Sequence, residues 1–294
     1  MYTIMTAFKP FEGEALIHQM NALRSWIAAC DHPEILVFGD VPGLKPVAAA
    51  LGLKVIDDFP RGDDGRARVD DIFVYAQRHG IFDRQVYVNG DIILMNDFAK
   101  AFRSVSFRHF LMIGQRTDVD VCENLDFQEE SQIALLRRLL IERGNLHLPW
   151  GLDYFAYTRG SIPTLPQLYL GAAAWDNLMV YYCRRNGLPV IDASLDVRAF
   201  HQNHVYYGMR ECSSAKSNMA QVPENAPVIG ATHASHWIEN GSVRNAAWSP
   251  ERLANNLTIL PILRDWPKRS HRPCRLAARI VRRFGAGVLK ASPA

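Results

Sequence analysis

The sequence predicts an α/β fold, a mostly parallel central sheet flanked by helices. Three observations carry this. Predicted strands and helices alternate through the N-terminal third of the chain. Those strands are continuous apolar runs, as parallel strands covered on both faces read. Polar and charged residues fall just past the predicted strand ends, where ligands collect in open parallel sheets.

The elements follow in order. Tyr2 to Phe8 (YTIMTAF) is rich in β-branched and aromatic residues and reads as a first strand. Glu14 to Cys30 has helical spacing, with Leu16, Ile17, Met20, Leu23, Trp26 and Ile27 on one face. Glu34 to Phe38 (EILVF) is a short apolar run stopped by Gly39-Asp40. A short helix over Val47 to Leu51 and a third strand over Lys54 to Ile56 follow. Val69 to His79 is helical in period, and Gln85 to Val88 is a fourth strand. Lys9, Asp40, Arg66, Arg68, Asn89 and Asp91 all lie just beyond strand ends. In the second half, Phe110 to Gln115 and Asp153 to Tyr157 read as strands, and Glu130 to Arg143 and Ala174 to Asn186 as helices. Leu188 to Ile191 and Val197 to Phe200 look extended, and Glu239-Asn240-Gly241 signals a hairpin turn. No repeat, low-complexity tract or linker divides the chain.

The totals agree with a globular protein. The chain has 294 residues, 48% hydrophobic and 21% charged. No window approaches the ~18–20 apolar residues of a membrane span, and the N-terminus has no signal-peptide pattern. The five cysteines (Cys30, Cys122, Cys183, Cys212 and Cys274) are scattered, which argues for reduced thiols in a cytoplasmic setting. The net charge of +3 is uneven: residues 1–263 hold 24 of the 33 bases and 29 of the 30 acids, a net of −5. An acidic body gives no support for nucleic-acid binding.

Within VYVNGDIIL, residues 86–94, Asn89 and Asp91 interrupt a run that otherwise suits a buried strand. An unpaired buried carboxylate is costly. Either Asp91 has a partner, or the strand ends at Val88 and the carboxylate meets a cation. A divalent ion such as Mg²⁺ or Mn²⁺ takes one or two hard protein ligands and fills the rest from phosphate and water. The alternative for Asn89-Gly90 is a plain turn. Asp176 opens a helix in WDN, where an acid serves either as a helix-start residue or as a general base. His201 and His204 follow an extended stretch, and either is structural unless a ligand lies nearby.

Taken together, TAFKPF, VFGDVPG, VYVNGDIIL, FLMIGQRTDVD, GLDYFAYTRG, WDN and FHQNH resemble glycosyltransferase-like proteins of the nucleotide-diphospho-sugar transferase superfamily, over about residues 1 to 208. The resemblance implies a GT-A fold, Rossmann-like, in one domain over 1–263, with a nucleotide-binding half (1–100) and an acceptor half (101–263). It implies a hexosyltransferase of inverting type. The donor would be a nucleotide sugar, UDP-linked by frequency in the superfamily, and the cofactor Mn²⁺ or Mg²⁺. Asn89-Gly90-Asp91 stands where that fold carries Asp-x-Asp. Asp91 is then the metal ligand, and Asn89 touches ribose or a metal-bound water. Asp176 matches the base position, and His201, preferred over His204, a late metal ligand. Thr6, Phe8 and Lys9 would line the nucleotide pocket. Asp40 would contact base or ribose, and Arg66 or Arg68 phosphate. Asp153 and Trp175 would face the acceptor, or Asp153 would merely fix a loop.

Residues 264–294 form a basic tail, and Leu276, Ile280 and Phe284 recur at four-residue steps within 273–290. Such a segment reads as a peripheral membrane contact, or as a helix packed on the acidic body. The first reading favours a lipid-linked or growing glycan acceptor at the inner face of a membrane. Three rivals stand beside the transferase. A non-catalytic sugar-nucleotide-binding relative would keep the fold and lose the base or metal. A pyrophosphorylase should carry a Gly-rich loop that TAFKPFEGE lacks, and a metal-dependent hydrolase a denser His and Asp cluster.

Overall fold

The structure, a computed structural model, describes residues 1–204, 212–224 and 228–263. The expected basic tail over 264–294, with its membrane contact over 273–290, lies outside the described residues. The N-terminal part runs β1 (Thr3–Thr6), α1 (Gly13–Cys30), β2 (Glu34–Phe38), α2 (Leu44–Leu51), β3 (Lys54–Ile56), α3 (Val69–His79) and β4 (Arg84–Val88). Next come β5 (Ile92–Ile93), α4 (Asn96–Ser104), β6 (Leu111–Ile113), β7 (Arg116–Val119), α5 (Glu130–Arg143), β8 (Asn145–Leu146) and β9 (Tyr154–Thr158). The chain continues through α6 (Trp175–Arg185), β10 (Val190–Asp192), β11 (Ala199–Gln202), α7 (Ser213–Ala220), β12 (His236–Glu239), β13 (Ser242–Asn245) and α8 (Pro250–Leu263).

One nine-stranded sheet has the order β13-β12-β10-β6-β9-β4-β1-β2-β3. The expected α/β class, mostly parallel with helices on both faces, is what the chain adopts. β1 lies parallel to both β2 and β4, and β2 to β3. β10 lies parallel to β6 and β12. β9 is the exception in the middle, antiparallel to both β4 and β6. Reversing β9 puts its start beside the end of β4, and this brings Asp153 to Asn89. The β12-β13 hairpin turns at Asn240-Gly241, both at positive φ (51° and 71°), as a two-residue hairpin turn requires.

Side-chain alternation along the strands feeds two cores. Ile4, Val86 and Val88 join Trp26, Phe98 and Phe102 on the α1/α4 side. Met5 and Tyr87 join Phe73, Phe155 and Trp175 on the α3/α6 side. Each such fully buried side chain contributes about 1.5–3 kcal/mol of transfer free energy. α2 begins three residues ahead of expectation, because Pro46 sits in its first turn, where a missing N–H has no helical partner to lose.

A second sheet, β5-β11-β7-β8, was not foreseen. Ile92 to Leu94 is too short to fold back on β4; its Ile92–Ile93 pairs instead with β11, from more than a hundred residues later. The apolar face of this sheet, Ile93, Phe200 and Val119, packs on a third cluster with Leu125, Phe127 and Leu136 of α5. The opposite face aligns Ile92, His201, Asp118 and Asn145 in one row. That row carries part of the site.

Candidate functional site

β4 ends at Val88, and the chain turns tightly over Gly90: the Asn89 N–H donates to the Asp153 carbonyl (3.0 Å) and the Ile92 N–H to the Asn89 carbonyl (3.1 Å). Gly90 is required there. A Cβ on it would meet the Phe8 ring at 2.6 Å and the Ala7 carbonyl at 3.1 Å. Phe8 is itself held against Phe11 and Trp26. The loop after β1 and the turn after β4 therefore pack through a glycine-sized gap, and Asp91 emerges beside them, partly exposed.

Around Asp91 the chain gathers a ligand set. Asp91, His201 and His204 each offer one ligand atom, all within 4.8 Å of one another. His204 Nε2 lies 3.0 Å from Asp91 Oδ2, and His201 Nε2 lies 3.8 Å from the same oxygen. The Lys9 ammonium sits 3.2 Å from His204 Nε2. Lys9 is held in place through its backbone, which exchanges two hydrogen bonds with the Gln19 amide. The buried Gln202 amide donates to the Asp91 carbonyl at 3.0 Å and fixes the main chain from below. The sequence reading preferred His201 over His204; the structure brings both to Asp91.

Burial pushes the Asp91 carboxyl up, but its hydrogen bond with His204 and the nearby His201 and Lys9 outweigh this and bring it to about 2. Burial lowers the pKa of His201, only partly opposed by the Asp91 charge, so this imidazole is neutral at pH 7. An ionised carboxylate beside a neutral imidazole is the protonation state that ligation needs. One carboxylate and two imidazoles suit Mn²⁺ better than Mg²⁺, which prefers an all-oxygen shell.

Asp176 lies in the first turn of α6 and is partly buried. Burial pushes its carboxyl from 3.8 up to about 7, the backbone amides at the helix start pull the other way, and the Asp153 charge adds to the rise. A carboxylate poised near neutrality is suited to proton transfer. Its neighbour Asn177 donates to the Ile229 carbonyl (2.7 Å) and the Trp150 carbonyl (3.2 Å), fixing the helix start.

The other expected site residues fall into two groups. Asp40 stays accessible in an open cleft lined by Val41, Pro42, Gly43 and Pro46, and pairs with the exposed Lys45 at 2.9 Å. Such a surface pair is worth at most about 1 kcal/mol and yields readily to a ligand. Thr6 is buried, its hydroxyl without a partner among the described residues. Arg66 donates to the Gly171 carbonyl at 2.8 Å, and Arg68 is paired with Asp70 and Asp71. Arg66 likewise faces an acid, Asp64 at 3.5 Å, so each of the two guanidiniums already has an acidic partner. Asn89, expected at a ribose or a metal-bound water, instead donates to Asp153 (2.6 Å) and accepts from Tyr87 (3.1 Å). Asp153 is buried, with one oxygen on Asn89 and the other on Arg116 (3.2 Å); it fixes the loop rather than facing an acceptor. Trp175 is 5% exposed and packs edge-on against Tyr87, so burial removes its ring from any acceptor.

Arg116, Asp118 and His147 went unrecognised in the sequence. Arg116 Nε lies 2.9 Å from Asp118 Oδ1, and His147 Nδ1 lies 2.7 Å from Asp118 Oδ2. The signal was present in RTDVD, where polar residues alternate as on a strand with one wet face. The four cysteines among the described residues are free. No helix among the described residues is long and apolar enough to cross a membrane.

No family model and no curated protein matches the chain. Solved structures do. One is S. aureus TarS 1-349 in complex with UDP-GlcNAc, 12% identical, with a TM-score of 0.43 over 72% of this chain and 61% of that one. A second is GalNAc-T7 with UDP, GalNAc and Mn²⁺, 15% identical, with a TM-score of 0.43 over 74% of this chain and 47% of that one. A third is glucosyl-3-phosphoglycerate synthase from Mycobacterium tuberculosis in complex with Mn²⁺ and UDP-glucose, 14% identical, with a TM-score of 0.42 over 74% and 76%. The chain thus spans less than two thirds of the first two.

Proposed function

We propose that this protein is a metal-dependent glycosyltransferase that moves a sugar from a nucleoside-diphosphate donor, UDP-linked, to a hydroxyl of a glycan or lipid-linked acceptor. The observation that carries the reading is the convergence of Asp91, His201 and His204 just beyond the end of β4, a strand of the mostly parallel sheet. Asp176, with its elevated pKa, provides a second and independent group.

Asp91, His201 and His204 would hold the cation, which when bound supplies positive charge against the developing charge of the departing diphosphate. Lys9 adds a fixed positive charge at the same place. Asp40 and the neighbouring cleft would take the base or ribose, and Arg66 or Arg68 the phosphates. Asp176 accepts the proton of the acceptor hydroxyl as its oxygen bonds to the anomeric carbon and the diphosphate leaves. Attack opposite the leaving group inverts that carbon. An acid poised at about 7 by burial and by the Asp153 charge supports the enzyme over a binding-only relative.

The test is donor turnover. Purified protein with Mn²⁺ and a panel of UDP-sugars is expected to release UDP, slowly onto water and faster with a carbohydrate acceptor. Asp91→Ala should abolish both Mn²⁺ binding and turnover. Asp176→Asn should retain Mn²⁺ and donor binding while transfer falls about 10²- to 10⁴-fold. Donor binding without turnover in the parent protein would leave the sugar-binding relative as the correct reading.

A further inference from the structure

We infer that Asp118 is a positioning residue for the cation site: it holds the His201 ring with Nδ1 protonated, so that Nε2 presents its lone pair beside Asp91. This rests on reading Asp91, His201 and His204 as the cation site, and it adds a residue that touches neither the ion nor the substrate.

Register and distance carry the inference. On the small sheet His201 is the direct partner of Asp118, so both side chains leave the same face of adjacent strands. His201 Nδ1 lies 3.0 Å from Asp118 Oδ1, while its other nitrogen, Nε2, faces Asp91 Oδ2 at 3.8 Å. The ring thus lies between two carboxylates, one on each nitrogen. His201 Nδ1 and Asp118 Oδ1 are both sealed from solvent and are close without being in hydrogen-bond line. The distance decides: a carboxylate oxygen 3.0 Å from a ring nitrogen favours a proton there, and a small turn of the carboxylate, within the hold of Arg116 and His147, brings the two into line. The tautomer with Nε2 bare is the one a metal can use, and carboxylate–histidine–metal chains fix it in this way.

Asp118 is in turn held on three sides. Arg116 Nε approaches Oδ1 at 2.9 Å, His147 Nδ1 approaches Oδ2 at 2.7 Å, and the strand fixes the backbone. Arg116 also reaches Asp153 at 3.2 Å, which links this carboxylate to the Asn89 turn and hence to the main chain that precedes Asp91. The guanidinium on Oδ1 matters for the test. In Asp118→Asn the amide oxygen is drawn to that side, toward Arg116 and His201, and the amide NH₂ to the His147 side. Acceptance from His201 Nδ1–H survives in Asn and is lost in Ala.

The experiment is Mn²⁺ titration followed by electron paramagnetic resonance, with folding of each variant checked by circular dichroism. Asp118→Ala is expected to weaken Mn²⁺ binding about 10- to 100-fold, while Asp118→Asn stays within about threefold of the parent. His201→Ala should weaken binding at least as much, and the double variant Asp118→Ala/His201→Ala should be no weaker than His201→Ala alone. Unchanged affinity in Asp118→Ala, or effects that add in the double variant, overturns the inference. A parent protein that binds no Mn²⁺ overturns the cation-site reading itself, and this assignment with it. Nitrogen-15 NMR of the metal-free parent needs no variant to fold other than one for assignment: the His201 imidazole should be protonated at Nδ1, and protonation at Nε2 sinks the proposal.

Discussion

Asp176 and Asp91 are two carboxylates whose surroundings push them in opposite directions, to about 7 and about 2. The folded protein keeps a proton on Asp176 that the unfolded chain releases above about 3.8. Stability from that protonated acid is fully present below 3.8 and lost as pH rises through about 7. Asp176→Asn cannot ionise, so at pH 8 it should be more stable than the parent, on the order of 1–3 kcal/mol after allowance for partial exposure. Urea unfolding at pH 5 and pH 8 measures this; equal stability of variant and parent at pH 8 would contradict it. The same carboxyl should give kcat/KM an acid limb that rises through about pH 7, since only the ionised form takes a proton. Asp91 behaves in the reverse sense. Its contribution is present above about 3.8 and fades only as pH falls through about 2. Loss of Mn²⁺ affinity on mild acidification should therefore not track Asp91.

The turn after β4 shows how an element places a group. Gly90→Ala drives a Cβ into the Phe8 ring and the Ala7 carbonyl. Phe8 cannot retreat, because Phe11 and Trp26 pack behind it. The expected result is a loss of about 1–3 kcal/mol in urea unfolding, together with weaker Mn²⁺ binding, since the loop carrying Asp91 must shift. This element was legible in advance: apolar β4 stops at Asn89, and an acid follows a glycine. So were the bounds of α3 and α5, set by 3.6-residue periodicity, and of β2 and β3, set by uninterrupted apolar residues. The small sheet was not. β5 is two residues long and β8 likewise, and pairing partners so far apart leave no local pattern. For the same reason the roles of Arg116 and Asp118 stayed hidden, because their further partners, Asp153, His147 and His201, come from distant parts of the chain. Trp175 misled for a different reason. The resemblance set it at the acceptor, but the 3.6-residue period of α6 turns its ring into the core with Leu178 and Met179.

For the molecule as a whole, the cation should act as a stabilising ligand. Mn²⁺ at a hundredfold excess over its Kd should add about 2.7 kcal/mol, read as a rise in Tm that disappears in Asp91→Ala. Mg²⁺ at equal concentration should give a smaller rise, because two of the three ligands are imidazoles. The topology also has a consequence in time. Asp91 and the two histidines are 110 and 113 positions apart in the chain, and they meet only after β11 has slotted between β5 and β7. Closing so long a loop is slow compared with forming the local β-α-β units around β1. In refolding, the capacity to capture Mn²⁺ should thus lag behind the return of helical signal, and its appearance would time the last strand to arrive.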